Sequence, residues 1–151
     1  MDKLIMALAS GLYTGYLPIA PGTWGTLVAF PLHLLLTRLS PAGYYAGLAI
    51  IFVVAVLAAG SAEKILDRGD PGIVVIDEII GMLIGLIGAP IKALPLIIAF
   101  LLFRILDILK PFPAGWADAH LHGGLGIVLD DVVAGFYTLL VMQLLKYWLH
   151  W

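Results

Sequence analysis

The sequence predicts an all-α, polytopic membrane bundle: about five hydrophobic helices plus an N-terminal re-entrant or interfacial segment. Three observations predict it. Of 151 residues, 62% are hydrophobic and only 12% charged, against about 25% charged in a soluble domain, so polar groups cannot cover the surface and a bilayer is the expected solvent. The apolar residues gather into long runs divided by Pro, Gly and charge. No run shows the ten-residue alternation of a membrane barrel, and backbone in lipid must otherwise satisfy its hydrogen bonds within helices. The length suits a single domain, residues 1–151.

The elements follow in order. Residues 4–9 form a short apolar run after Lys3. One lysine offset by Asp2 makes a poor signal-peptide start, so the run reads as interfacial, re-entrant or a short buried helix. Residues 22–39 follow a Pro18-to-Thr23 entry and contain Pro31, which should kink a helix. After a Pro41/Gly43 turn, residues 44–60 carry no charge and form the cleanest span, slightly short of the roughly 20 residues a bilayer needs. Residues 61–72 form a polar connection containing Glu63, Lys64, Asp67, Arg68 and Asp70. Residues 73–89 are apolar except for Asp77 and Glu78, and a turn at 90–95 follows. Residues 96–109 are apolar except for Arg104 and Asp107. A loop rich in Pro, Gly and His spans 110–126, and residues 127–145 are apolar except for Asp130, Asp131 and Gln143. Tyr147, Trp148 and Trp151 read as an interfacial aromatic anchor.

A charge in hydrocarbon costs roughly 2.5–3.5 kcal/mol on insertion scales, so charges within apolar runs mark function. If successive spans alternate direction, the loops at 61–72 and 110–126 share one side. Asp77, Glu78, Arg104, Asp107, Lys110, Asp130 and Asp131 then converge near one membrane face. That side carries Lys3, Lys64, Arg68 and Lys110, against Arg38, Lys92 and Lys146 on the other, which favours a cytoplasmic cluster by a small margin.

Asp77, Glu78, Asp107, Asp130 and Asp131 are five carboxylates, and crowded carboxylates repel one another. A divalent cation relieves this, and oxygen ligands in a chain without cysteine favour Mg²⁺, Mn²⁺ or Ca²⁺ over zinc. Five acids leave room for one ion or two. Asp130 or Asp131 could instead cap a helix. Arg104, Asp107 and Lys110 share a helix face at i, i+3, i+6 spacing. Arg104 and Lys110 could hold a phosphate beside the metal; Arg104 could equally pair with Asp107, and Lys110 could snorkel to the interface. His122 precedes Gly123-Gly124, a glycine-rich entry to a helix whose N–H groups suit an anion, and its imidazole could move a proton. His120 fits a plain exposed residue. Thr23 and Thr26, in the Pro21-Gly22-Thr23-Trp24-Gly25-Thr26 entry, are weaker phosphate-binding candidates. The absent cysteines remove disulfides and a thiol nucleophile, and the net charge of −2 with no basic run gives no sign of nucleic acid.

Four motifs together resemble one family. They are Pro21-Gly22-Thr23-Trp24-Gly25-Thr26; Val75-Ile76-Asp77-Glu78-Ile79-Ile80-Gly81-Met82; the Phe103-Arg104 to Lys110-Pro111-Phe112-Pro113 segment with Asp107; and the His122-Gly123-Gly124 to Asp130-Asp131 segment ending at Gly135. Their order and content resemble phosphatidylglycerophosphatase A over nearly the whole chain. The resemblance implies a multi-pass enzyme of the bacterial inner membrane. It also implies Mg²⁺-dependent removal of the terminal phosphate of phosphatidylglycerophosphate, giving phosphatidylglycerol. Catalysis would fall to the five acids and His122, and phosphate binding to Arg104, Lys110, Thr23, Thr26, Gly123 and Gly124. Two rivals differ in class. An enzyme joining lipid alcohols through a CDP-activated donor should carry a spaced Asp-Gly and Asp-x-x-x-Asp signature, which is missing here. A cation-coupled carrier should place its charges near the midplane.

Overall fold

In the computed structural model, which describes residues 1–151 apart from the side chain of Asp118, the chain folds into seven α-helices and one short 3₁₀ turn. They are α1 (Asp2–Ala9), the 3₁₀ turn (Thr14–Tyr16), α2 (Pro21–Leu36), α3 (Pro41–Leu66), α4 (Ile76–Gly85), α5 (Ala93–Leu109), α6 (Ala114–His120) and α7 (Gly123–Leu149). No strand occurs among the described residues.

Local sequence sets most of the boundaries. Pro21 and Pro41 stand in the first turn of their helices, where the missing N–H costs nothing. Ser40 caps α3 by accepting a hydrogen bond from the Gly43 N–H at 3.2 Å. Asp67, at φ +47°, ends α3, so the helix runs six residues into the expected polar connection. Gly88, at φ +69°, closes the turn after α4. α2 continues through Pro31 as helix rather than breaking there.

α3 and α7 are long and apolar enough to cross a membrane. At 1.5 Å per residue they reach about 40 Å, more than a hydrocarbon core of about 30 Å. α4 differs from the expected span. Its ten residues reach about 15 Å, because a turn closed by the Val74 N–H on the Pro71 carbonyl at 2.8 Å and the non-helical Val75 precede it and Gly88 turns the chain after it. The Val75 N–H donates to the Ala9 carbonyl at 2.9 Å and fixes that entry to the end of α1. Shortness is tolerable because α4 is the central element. Ile79, Ile80, Met82 and Leu83 are all buried, against α7, α2, α3 and α5.

Small residues let the helices approach. On α4, Gly81 lies against the Asp131 carbonyl of α7, and Gly85 lies against Thr138 one turn on. On α7, Gly135 lies against the Gly81 carbonyl. A Gly-x-x-x-Gly face on α4 thus crosses α7 backbone to backbone. The buried stripe of α3 is Ala55, Ala58, Ala59 and Ala62, and Gly60 touches Gly124 at the start of α7. Larger residues turn outward: Ile50, Val53 and Leu57 on α3, Ile97, Leu101 and Ile105 on α5, and Phe136, Leu140 and Leu144 on α7. The bundle presents apolar side chains outside and gathers its acids Asp77, Glu78, Asp107, Asp130 and Asp131 at one end, as a membrane protein does.

Candidate active site

The ends of five helices meet around a cavity of about 470 Å³. α2, α4 and α7 begin there, and α3 and α5 finish there, so the chain alternates direction past the site. Three helix N-termini direct the positive ends of their dipoles at the cavity. Its lining includes Gly22 from α2, Glu63 from α3, Asp77 and Glu78 from α4, Arg104 and Asp107 from α5, and Asp130 and Asp131 from α7. Lys110 and His122 line it from the connections between helices, and Gly123 from the first position of α7.

The α4–α7 crossing explains the central trio. Asp77 stands four residues before Gly81, and Asp131, whose own carbonyl meets Gly81, stands four before Gly135, so both side chains fall on the cavity side of the contact. One ligand oxygen from each of Asp77, Glu78 and Asp131 lies within 4.8 Å of the others. Among the described residues, Asp77 Oδ1 and Glu78 Oε2 are buried and accept no hydrogen bond. Buried carboxylate oxygens without donors are costly. Three hard oxygen donors at this spacing fit a divalent cation of the Mg²⁺ type.

The other two acids are engaged differently. Arg104 Nη1 donates to Asp107 Oδ2 at 2.6 Å and stands 4.0 Å from Glu78 Oε1. Lys110 Nζ pairs with Asp130 Oδ2 at 2.8 Å. Arg104 therefore stands against both Asp107 and Glu78, and Lys110 against Asp130. Arg104 has five N–H donors, so its fork can serve these acids and an incoming anion together. Asp130 and Asp131 are not caps: α7 starts at Gly123, which leaves them two turns inside the helix.

The structure also separates residues that the sequence grouped. Thr23, Thr26 and Gly124 do not line the cavity. Thr26 is buried and its hydroxyl donates to the Gly22 carbonyl at 2.8 Å. Gly124 is packing: a Cβ there would strike the Val56 carbonyl and Gly60 of α3. His120 is exposed, with its ring stacked on Trp116 at 5.0 Å. Of the lining residues that the sequence left without a role, three bear on the chemistry. Glu63 and Asp70 belong to a segment that reads as a polar connection. Gly22 contributes by lacking a side chain, since a Cβ would collide with Glu78 Oε1 and stand 3.2 Å from Arg104 Nη1.

Fold and site together define an all-helical enzyme with an acidic, cation-braced cavity at one end of an apolar bundle. The family model described as phosphatidylglycerophosphatase A matches residues 7–146. Phosphatidylglycerophosphatase A of Escherichia coli (strain K12) is 37% identical over 145 residues, covering 95% of this chain and 83% of that protein. The protein of the same name from Haemophilus influenzae is 36% identical over 147 residues, covering 96% of this chain and 90% of that protein. A relative from Bacteroides thetaiotaomicron, provisionally named a phosphatidylinositol-3-phosphatase, is 32% identical over 151 residues, covering 95% and 94%. No solved structure matches the chain significantly. The chain belongs to the phosphatidylglycerophosphatase A family and is a phosphatase.

Proposed function

We propose that this phosphatase hydrolyses the terminal phosphomonoester of phosphatidylglycerophosphate, releasing phosphatidylglycerol and phosphate. The reaction would take place in the cavity, held at headgroup depth in a multi-pass bundle of the bacterial inner membrane and facing the cytoplasm. The observation that carries this reading is the Asp77–Glu78–Asp131 trio beside Arg104, in a cavity whose walls continue into apolar helices. The site wants an anion with a cation, and the bundle wants a lipid.

Asp77, Glu78 and Asp131 would hold Mg²⁺, and Asp107 and Asp130, which line the same cavity, would be the candidates for a second ion. When bound, the metal supplies charge neutralisation at the phosphoryl oxygens and a more acidic water. Arg104 binds the phosphate by its guanidinium fork, and Asp107 keeps that fork turned toward the cavity. Lys110, braced by Asp130, adds a second positive charge at the wall. Gly22 leaves the space that Glu78 and Arg104 fill. His122, which lines the cavity just ahead of α7, would pass a proton to the departing glycerol oxygen. Water attacks phosphorus in line with that oxygen; the P–O bond to glycerol breaks, the water oxygen stays on phosphate and the alcohol leaves protonated. Transfer of ¹⁸O from labelled enzyme carboxylates into the released phosphate would overturn direct attack by water.

The deciding experiment presents purified protein in detergent with phosphatidylglycerophosphate, with and without Mg²⁺. Phosphate release that depends on the metal is expected; none under any divalent metal would sink the reading. Phosphatidylinositol 3-phosphate belongs in the same assay because of the Bacteroides relative's name. Faster turnover of that lipid would move the substrate assignment to it. A carrier is disfavoured because the acids gather at one end of the bundle rather than at its middle.

A further inference from the structure

Beyond the catalytic cavity, α2 and α5 enclose a second feature on their outer side. It is an apolar groove of about 280 Å³ lined by Leu27 and Phe30 of α2 and by Ala93, Leu96, Ile97 and Phe100 of α5. The same two helices bring Gly22 and Arg104 to the catalytic cavity. They run antiparallel, with α2 leaving the site and α5 arriving at it. Phe30 and Phe100 face each other across the seam, ring centroids 6.3 Å apart. The groove is therefore in line with the cavity along one seam, not on an unrelated face.

The spacing along the seam is informative. Phe100 lies four residues from Arg104, about 6 Å of helix rise, and Ala93 lies eleven residues away, about 16 Å. The second distance is close to one leaflet, half of a hydrocarbon core of about 30 Å. The Arg104 guanidinium turns away from Phe100 to Asp107, and the seven residues from Asp107 back to Phe100, about 10 Å of rise, leave room for the two glycerol units and the phosphodiester that separate the terminal phosphate from the acyl esters. The lipid's hydrocarbon would then begin near Phe100 and Leu27 and continue to Ala93.

We propose that the α2–α5 groove binds an acyl chain of the lipid substrate, with Ala93 at its distal end. This rests on the lipid-phosphatase reading above and deepens it: chain length becomes a recognised feature rather than a passive anchor. A groove wall formed from two helices with no polar side chain suits saturated hydrocarbon and no other part of the substrate.

The test compares dipalmitoyl and dihexanoyl phosphatidylglycerophosphate as substrates of the wild type and of Ala93→Trp, which fills the distal end. The readout is the ratio of kcat/KM for the long chain to that for the short one. The ratio should fall at least about tenfold, as expected when about two methylenes lose their apolar contacts. An unchanged ratio, with both lipids turned over, would overturn the groove and leave the phosphatase reading standing. Wild-type protein silent on both lipids would instead overturn the reading beneath it. Should Ala93→Trp lose both activities, a second measurement on wild type decides. A palmitoyl analogue carrying a photoreactive diazirine near the chain end should label peptides of α2 and α5, and excess dihexanoyl substrate should suppress that labelling. Labelling that ignores the competitor, or spreads evenly over α3 and α7, would refute the proposal.

Discussion

Gly135→Ala tests how the fold makes the site. The new Cβ would lie against the Gly81 carbonyl group, with its carbon 2.9 Å and its Cα 3.1 Å away. All three nearest atoms are backbone of α4, so no flexible side-chain end can swing aside. The carbonyl oxygen is closer still, so relief requires α4 and α7 to part by about 1 Å. Overpacking of this kind costs about 1–3 kcal/mol. The same movement draws Asp77 away from Asp131, because Asp131 meets Gly81 through its own carbonyl and Asp77 sits one turn before Gly81. A misplacement on the order of 1 Å can cost about a hundredfold in rate, so turnover should fall far more than stability does. The assay pairs phosphate release with a thermal melt of the same detergent sample. A variant with a lowered melting temperature but unchanged kcat would refute the claim that this crossing sets the spacing of the acids. A variant unchanged in both would refute the backbone contact itself.

Other expectations follow from the same geometry. Asp77→Asn and Asp131→Asn should each reduce turnover by at least about a hundredfold, as loss of a positioned electrostatic group does, while circular dichroism stays that of the wild type; near-normal rates would remove either residue from the site. Chelation should abolish activity and added Mg²⁺ restore it, with a melting temperature that rises with Mg²⁺ concentration, as linkage requires of a ligand bound only by the folded state. Arg104→Lys keeps the charge but loses the fork that spans Asp107 and an anion, so kcat/KM should drop by about tenfold or more even at saturating metal. Thr26→Val removes only the hydrogen bond to the Gly22 carbonyl, a loss of about 0.5–1.5 kcal/mol of stability with turnover retained; a loss of activity beyond that would return Thr26 to the phosphate-binding residues.

How much of this could be seen in the sequence depended on whether a residue's role lay in its chemistry or in its placement. Asp77, Glu78, Arg104, Asp107 and Asp131 stood out because ionised groups do not enter apolar helices without use, and alternating helix direction brought them to one end. The pairings were less accessible. Arg104 with Asp107 follows from i, i+3 spacing, but Lys110 with Asp130 joins the end of α5 to the third turn of α7 and depends on helix rotation that hydropathy does not encode. Glu63 and Asp70 were hidden for the opposite reason: acids in a polar stretch cost nothing in water, so nothing marks them as facing inward. Glycines were the least legible. Gly22, Gly81 and Gly135 act through the absent Cβ, and Gly124, which looked like part of an anion loop, serves contact with α3. Helix length failed for a related reason. The apolar run at 73–89 reads as a span, yet only ten residues coil, because the turn between Pro71 and Val74, the non-helical Val75 and the left-handed Gly88 bracket them. A short central helix is what lets Asp77 and Glu78 occupy the first turn of α4 rather than its middle. There their carboxylates meet Asp131 under three helix N-termini, and the break in hydropathy that α4 hides is the feature that builds the site.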